Sequence, residues 1–151
     1  MKPLVVSKKI HATAEEIFEI IAHIEVAAGI NPKIKRFLIL TDQKRGVGTK
    51  FIETRKLGKR EFTMEFKVTE YNAAQAVRLI SIDRSETTWD SLYELDESDD
   101  ITNITLTMHC IPITFTMKLM WPLMKILMSR SIKADLDCFA EHLAGRTGAE
   151  F

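Results

Sequence analysis

The residues best able to do chemistry in this sequence sit where the local pattern predicts an apolar surface. Glu53 and Arg55 share the parity of Phe51 in an alternating run, so all three are expected on one face of a strand, the face that must be covered. An unpaired carboxylate there costs several kcal/mol. The two residues therefore pair in water on an edge strand, reach solvent at a cavity mouth, or meet a polar group of a ligand. Trp89 and Tyr93 add an indole N–H and a phenol O–H that can orient a ligand against an apolar wall. Asp135, Cys138 and His142 stand at i, i+3 and i+7 on one helical face and imitate a metal or nucleophile site. With no fourth ligand and no orienting partner in sequence, a plain gradient from surface to core explains them better. No metal, cofactor or catalytic residue is assigned.

Known reaction motifs do not fill the gap. There is no Ser/His/Asp order with a nucleophile elbow and no HExxH, and Gly46-Val47-Gly48 lacks the context of a phosphate-cradling loop. Hydrolase, kinase and dehydrogenase readings fall away. Lysine plus arginine equals aspartate plus glutamate at 21 each, so no global field draws the chain onto nucleic acid or anionic membranes. Cys110 and Cys138 belong to no CxxC or Cys/His spacing and fit two reduced, buried thiols of a cytoplasmic protein. The N-terminal apolar run is too short for a secretory signal. The longest apolar region, Cys110 to Met128, is interrupted by Lys118, Lys125, Pro112 and Pro122, so no integral membrane segment is expected.

Elements that would position these residues can be read along the chain. At 151 residues, with 46% hydrophobic and 28% charged residues, one domain spanning residues 1–151 is expected. Leu4 to Ile10 reads as a strand. Thr13 then caps a helix with Glu16 three residues on; Ile17, Ile20, Ile21 and Ile24 form its buried face and Glu15, Glu19 and His23 its outward one, with an end near Gly29. Phe37 to Leu40, Phe51 to Lys56, the alternating run through Phe62, Met64, Phe66 and Val68, Ala76 to Asp83, Thr87 to Leu95 and Ile101 to Ile111 make six further strands. Gly46 and Gly48 supply a turn, and Asp96 to Asp100 a solvated hairpin loop. A last helix, from Leu119 to about Leu143 and ended by Gly145, carries Met120, Leu123, Met124, Leu127, Met128, Ile132, Leu136, Phe139 and Leu143 at helical period. Pro122 suits only a first turn, so the helix begins near Met120 or bends there.

That order, with Ile10 to Phe18 (IHATAEEIF) opening the first helix, then Gly46 to Thr49, resembles the polyketide cyclase/dehydrase and lipid-transport superfamily, the START-like proteins. Thr88-Trp89 to Tyr93-Glu94-Leu95, followed by Thr102 to Thr105, is similar to that superfamily's paired-strand hairpin. Asp135 to Phe139 is similar to the end of its gripping helix. The resemblance covers nearly the whole chain and implies an α+β helix-grip fold, a curved seven-stranded antiparallel sheet wrapped around the C-terminal helix, with an apolar cavity between them.

By alternation, Phe51, Phe62, Met64, Phe66, Trp89, Tyr93, Leu106 and Met108 would line such a cavity from the sheet, with Met120, Met124, Leu127 and Met128 from the helix; the bland alternative is that they fill a core. The function expected is binding or carriage of a hydrophobic small molecule such as a lipid, sterol or aromatic polyketide, by a monomer or weak homodimer that binds no nucleic acid. One alternative is a cyclase or dehydratase in the same cavity, with Glu53 or Tyr93 as its proton-transfer group. The other is a domain that regulates a protein partner without a ligand, whose cavity would be collapsed.

Overall fold

In the computed structural model, which describes residues 2–83 and 86–148, the chain runs β1 (Leu4–Ile10), α1 (Ala14–Ile21), α2 (Ile24–Ile30), β2 (Ile34–Ile39), β3 (Lys50–Leu57), β4 (Arg60–Asn72), β5 (Ala76–Ile82), β6 (Thr88–Ser98), β7 (Ile101–Ile111) and α3 (Phe115–Gly148). The seven strands form one antiparallel sheet in the order β1-β7-β6-β5-β4-β3-β2. Strands β2 to β7 follow one another as a meander, while α1 and α2 carry the chain from β1 to the opposite edge. Register shifts at Ile34/Arg36 and at Val68/Glu70 bend β2 and β4, which is how a sheet of this width curls around a helix.

The N-terminal helical segment is two helices, because the chain breaks at His23. Thr13 caps α1 as expected, its hydroxyl accepting from the Glu16 amide at 3.2 Å. His23, expected on the outward face, is buried at 2% exposure with an extended backbone. Its Nδ1 donates to the Glu19 carbonyl at 2.8 Å, an acceptor the next helical turn would otherwise have used, and Nε2 lies 2.8 Å from the Tyr71 hydroxyl. A polar side chain about three turns from the cap thus ends α1 and ties it to β4.

Turns follow the expected chemistry with one change of extent. Gly46 and Gly48 have φ of 92° and 95°, as a left-handed turn requires. The acidic loop is shorter than expected: β6 and β7 pair up to Ser98 and Ile101, leaving only Asp99 and Asp100, both at positive φ, as a two-residue turn.

Helix α3 differs most from its expected form. It starts at Phe115, where the Thr114 hydroxyl accepts from the Met117 amide at 3.3 Å, and it continues past Gly145 to Gly148. Pro122 therefore lies inside the helix, not in its first turn. The helix packs chiefly along β1, with a smaller contact to α2. Ile132, Leu136, Phe139 and Leu143 are buried in the core, and Leu136 is 1% exposed. The earlier half is anchored differently. Trp121 is buried against Trp89, with ring centroids 5.9 Å apart, and its Nε1 donates to the Lys2 carbonyl at 3.1 Å. Cys110 is buried as expected, whereas Cys138 is only half-buried, and neither is in a disulfide.

Candidate functional site

Strand register settles which side chains share the inner face of the sheet. Phe51 pairs with Phe66, Glu53 with Met64 and Arg55 with Phe62 across β3 and β4. Phe66 pairs with Ser81, Ser81 with Trp89, Val77 with Tyr93, and Tyr93 with Leu106 across the strands that follow, while Ser91 pairs with Met108. All ten sheet residues singled out from sequence therefore lie on one face, the face α3 packs against at β1. Phe51 and Phe66 stack with centroids 5.3 Å apart.

Within that face the residues divide by burial. Phe51, Trp89 and Leu106 belong to the core, and Met64, Phe66, Tyr93 and Met108 stay partly exposed beside it. Because α3 packs chiefly along β1, part of the inner surface away from that strand stays accessible, with Met64 and Phe66 of β4 only partly buried. Phe62, at the far end of β4, is 47% exposed and marks its rim. Met124 and Met128 face the core from α3, but Met120 and Leu127 are exposed and are no part of the inner surface. Those two positions fall on one flank of the helix, about 100–120° around it from Trp121. Two surface depressions lie elsewhere: one of about 430 Å³ between α2 and β2, and one of about 180 Å³ between β1 and α3.

The charges on the inner face are paired, but not at a wet sheet edge. Strand β3 is interior, flanked by β2 and β4. Arg55 Nη1 donates to Asp135 of α3 at 2.6 Å and Nη2 to Glu53 at 3.4 Å. The side chains are only 22% exposed for Arg55 and 13% for each carboxylate. Asn31, at the end of α2 and fully buried, donates to the other Asp135 oxygen at 2.9 Å. Sheet, α2 and α3 thus meet at one polar group, and Asp135, read from sequence as part of a surface-to-core gradient, is its centre. Among the described residues no cluster of histidine, cysteine and carboxylates is placed to hold a metal.

This group has unused hydrogen-bonding capacity. Arg55 Nε is buried and has no partner among the described residues, and the same is true of Ser81 Oγ on the same face. Two carboxylates against one guanidinium leave one negative charge in excess. Burial raises the Glu53 carboxyl above its ordinary value, with Arg55 opposing the shift. The Tyr93 phenol lies in the field of the same three groups, and burial together with Asp135 raises it so that it stays a neutral donor. Trp89, by contrast, has spent its indole donor on Asp83 at 2.9 Å, which leaves it an apolar wall. Burial also pushes the Cys110 and Cys138 thiols up, the opposite of what a nucleophilic cysteine needs.

A folded Glu53 that holds its proton to higher pH than the unfolded one makes stability fall as pH rises from about the ordinary value of 4.5 through the raised folded value. Glu53→Gln removes that loss. Thermal unfolding from pH 4 to 8 (about the range over which carboxylates of this kind titrate) is expected to show the glutamine variant gaining on the wild type as pH rises, then holding a constant lead.

No family model and no curated protein sequence matches the chain. Solved structures do. The fold is similar to an aromatase/cyclase from a Streptomyces species (TM-score 0.79, 14% identity, 97% of this chain and 95% of that one). It is similar also to a Thermus thermophilus protein (TM-score 0.77, 13% identity, 95% and 98%) and to norcoclaurine synthase from Thalictrum flavum in complex with dopamine and hydroxybenzaldehyde (TM-score 0.73, 14% identity, 95% and 87%). At these identities the likeness is one of fold, and at that level it bears out the expectation: a seven-stranded antiparallel sheet with a long C-terminal helix, the helix-grip fold.

Proposed function

We propose that the protein binds an apolar small molecule carrying a hydroxyl group in a cleft between the inner face of the sheet and α3. The observation that carries this reading is the Glu53–Arg55–Asp135 group on an otherwise apolar inner face, with a buried guanidinium N–H left over. A hydroxyl can accept from Arg55 Nε and donate to Glu53 at once, which neither a carboxylate nor an ammonium group does. Phe51, Phe66, Met64 and Met108 supply a flat, polarizable wall suited to aromatic ligands. The fold likeness to a cyclase and to a synthase holding two aromatic molecules is consistent with that ligand class.

A second reading, turnover of a reactive polycarbonyl compound in the same cleft, is favoured by one feature. Glu53, with its carboxyl raised by burial, is suited to transfer a proton to or from a bound carbonyl compound. Thermal unfolding of the whole protein against phenolic polycycles, sterols and fatty acids tests binding. A ligand of the right class at 100 times its Kd adds about 2.7 kcal/mol, a rise of roughly 5–11 °C. A rise with phenols that Glu53→Gln weakens supports binding. Consumption of the ligand that Glu53→Gln abolishes supports turnover. No shift with any class overturns both in favour of a partner-binding domain.

A further inference from the structure

The first half of α3 displays an apolar stripe to solvent. Ile113, Phe115, Leu119, Leu123, Ile126 and Leu127 are all more than half exposed, with Phe115 at 76% and Leu119 at 70%. From Phe115 onward they fall at helical spacing on the side away from Trp121, so the burial of that side chain is what holds them outward. Six such side chains together reach the upper end of the roughly 300–600 Å² that the largest patch of a typical monomer occupies, and such patches mark interaction sites.

Charge identifies the occupant. The chain is neutral overall, yet no aspartate or glutamate occurs from residue 101 to 134, while Lys118, Lys125, Arg130 and Lys133 all lie on α3 in that stretch. Lys118 and Lys125 run along one edge of the stripe, and Arg130 and Lys133 continue its face one turn further on. Among the described residues none of the four forms a salt bridge, although nine other ion pairs are present. A second copy seated on this face would bring these cations together with no acid between residues 115 and 134 of the helix to offset them. An anionic bilayer offers apolar depth for the leucines and phosphate or carboxylate charge for the lysines.

We propose that α3 docks the protein onto anionic membrane surfaces, its apolar stripe lying in the interface. No described helix is long and apolar enough to cross a membrane, so the mode is surface attachment. Docking in this way requires nothing in the cleft and is independent of the ligand proposed above.

Sedimentation of the full chain with vesicles tests it, using phosphatidylcholine alone and phosphatidylcholine containing about one-third phosphatidylserine, each at low and high salt. The protein is expected to sediment with the anionic vesicles at low salt and to be released by high salt. Lys118→Gln with Lys125→Gln is expected to weaken partitioning by about 30-fold. Leu119→Asp with Leu123→Asp should weaken it by more than about 100-fold at an unchanged melting temperature, since both leucines are exposed. Absence of sedimentation with anionic vesicles overturns the proposal, as does binding that neither salt nor either variant affects. A dimer in gel filtration that Leu119→Asp with Leu123→Asp dissolves, without vesicle binding, overturns it in favour of a second copy.

Discussion

Arg55→Leu is expected to lower the melting temperature by about 10 °C, the consequence of a loss of about 3–5 kcal/mol when one member of a buried ionic group is removed. The guanidinium is the sole positive charge in contact with Glu53 and Asp135 among the described residues, and both carboxylates are shielded from water. Without it they repel each other in a poorly hydrated site between β3 and α3. The loss is a penalty for unpaired charge and does not measure what the intact group contributes. A triple variant, Glu53→Leu with Arg55→Met and Asp135→Asn, separates the two. It removes every charge, and the new amide oxygen still accepts from Asn31, so its stability should lie within about 2 kcal/mol of wild type. If the group is there to hold a ligand hydroxyl, this folded variant should bind more than about tenfold more weakly. Equal affinity in wild type and triple variant would show that the group serves the fold alone.

Trp121→Ala is expected to release the first half of α3 while leaving the sheet intact. Trp121 is the one buried side chain between Phe115 and Arg130, packed at a tilt against Trp89 and hydrogen-bonded to the Lys2 carbonyl. Its neighbours on the helix are exposed or only half-buried, and Pro122 removes one backbone hydrogen bond from the same turn. Truncating a buried tryptophan costs about 3–5 kcal/mol, and a segment held at one point takes that cost locally. Amide exchange should accelerate by about 100-fold between residues 117 and 128 and hardly change in β4 to β6. Trp121→Phe, which keeps the packing and loses only the hydrogen bond, should show a far smaller change. Uniform acceleration across the molecule would instead make this half of the helix part of the global cooperative unit.

Period-two alternation was legible in the sequence because strand side chains obey it without exception between bulges. It placed ten sheet residues, from Phe51 to Met108, on a common face before any register was known, and the order of elements and the superfamily resemblance followed from the same pattern and its turns. The charged pair on that face was legible too, as a conflict between residue type and parity. Its partner was not. Asp135 stands three residues after Ile132 and four before Phe139, on the buried stripe of α3, so an acid out of place there was the signal that it answered an arginine out of place on β3. Only the fold brings residues eighty positions apart to 2.6 Å.

Helix α3 marks the other limit. From residue 115 to 128 it is apolar around most of its circumference, and a helix hydrophobic on nearly all sides contains no periodic signal telling inner from outer. Met120 and Leu127 were therefore placed in the cleft when they face solvent, and Trp121, which sets the rotation, passed unnoticed. Sequence by itself determined which residues share a strand face, because parity is a property of the backbone. Tertiary structure alone decided which side of α3 is covered, because that depends on where one tryptophan finds a partner on a strand distant in sequence.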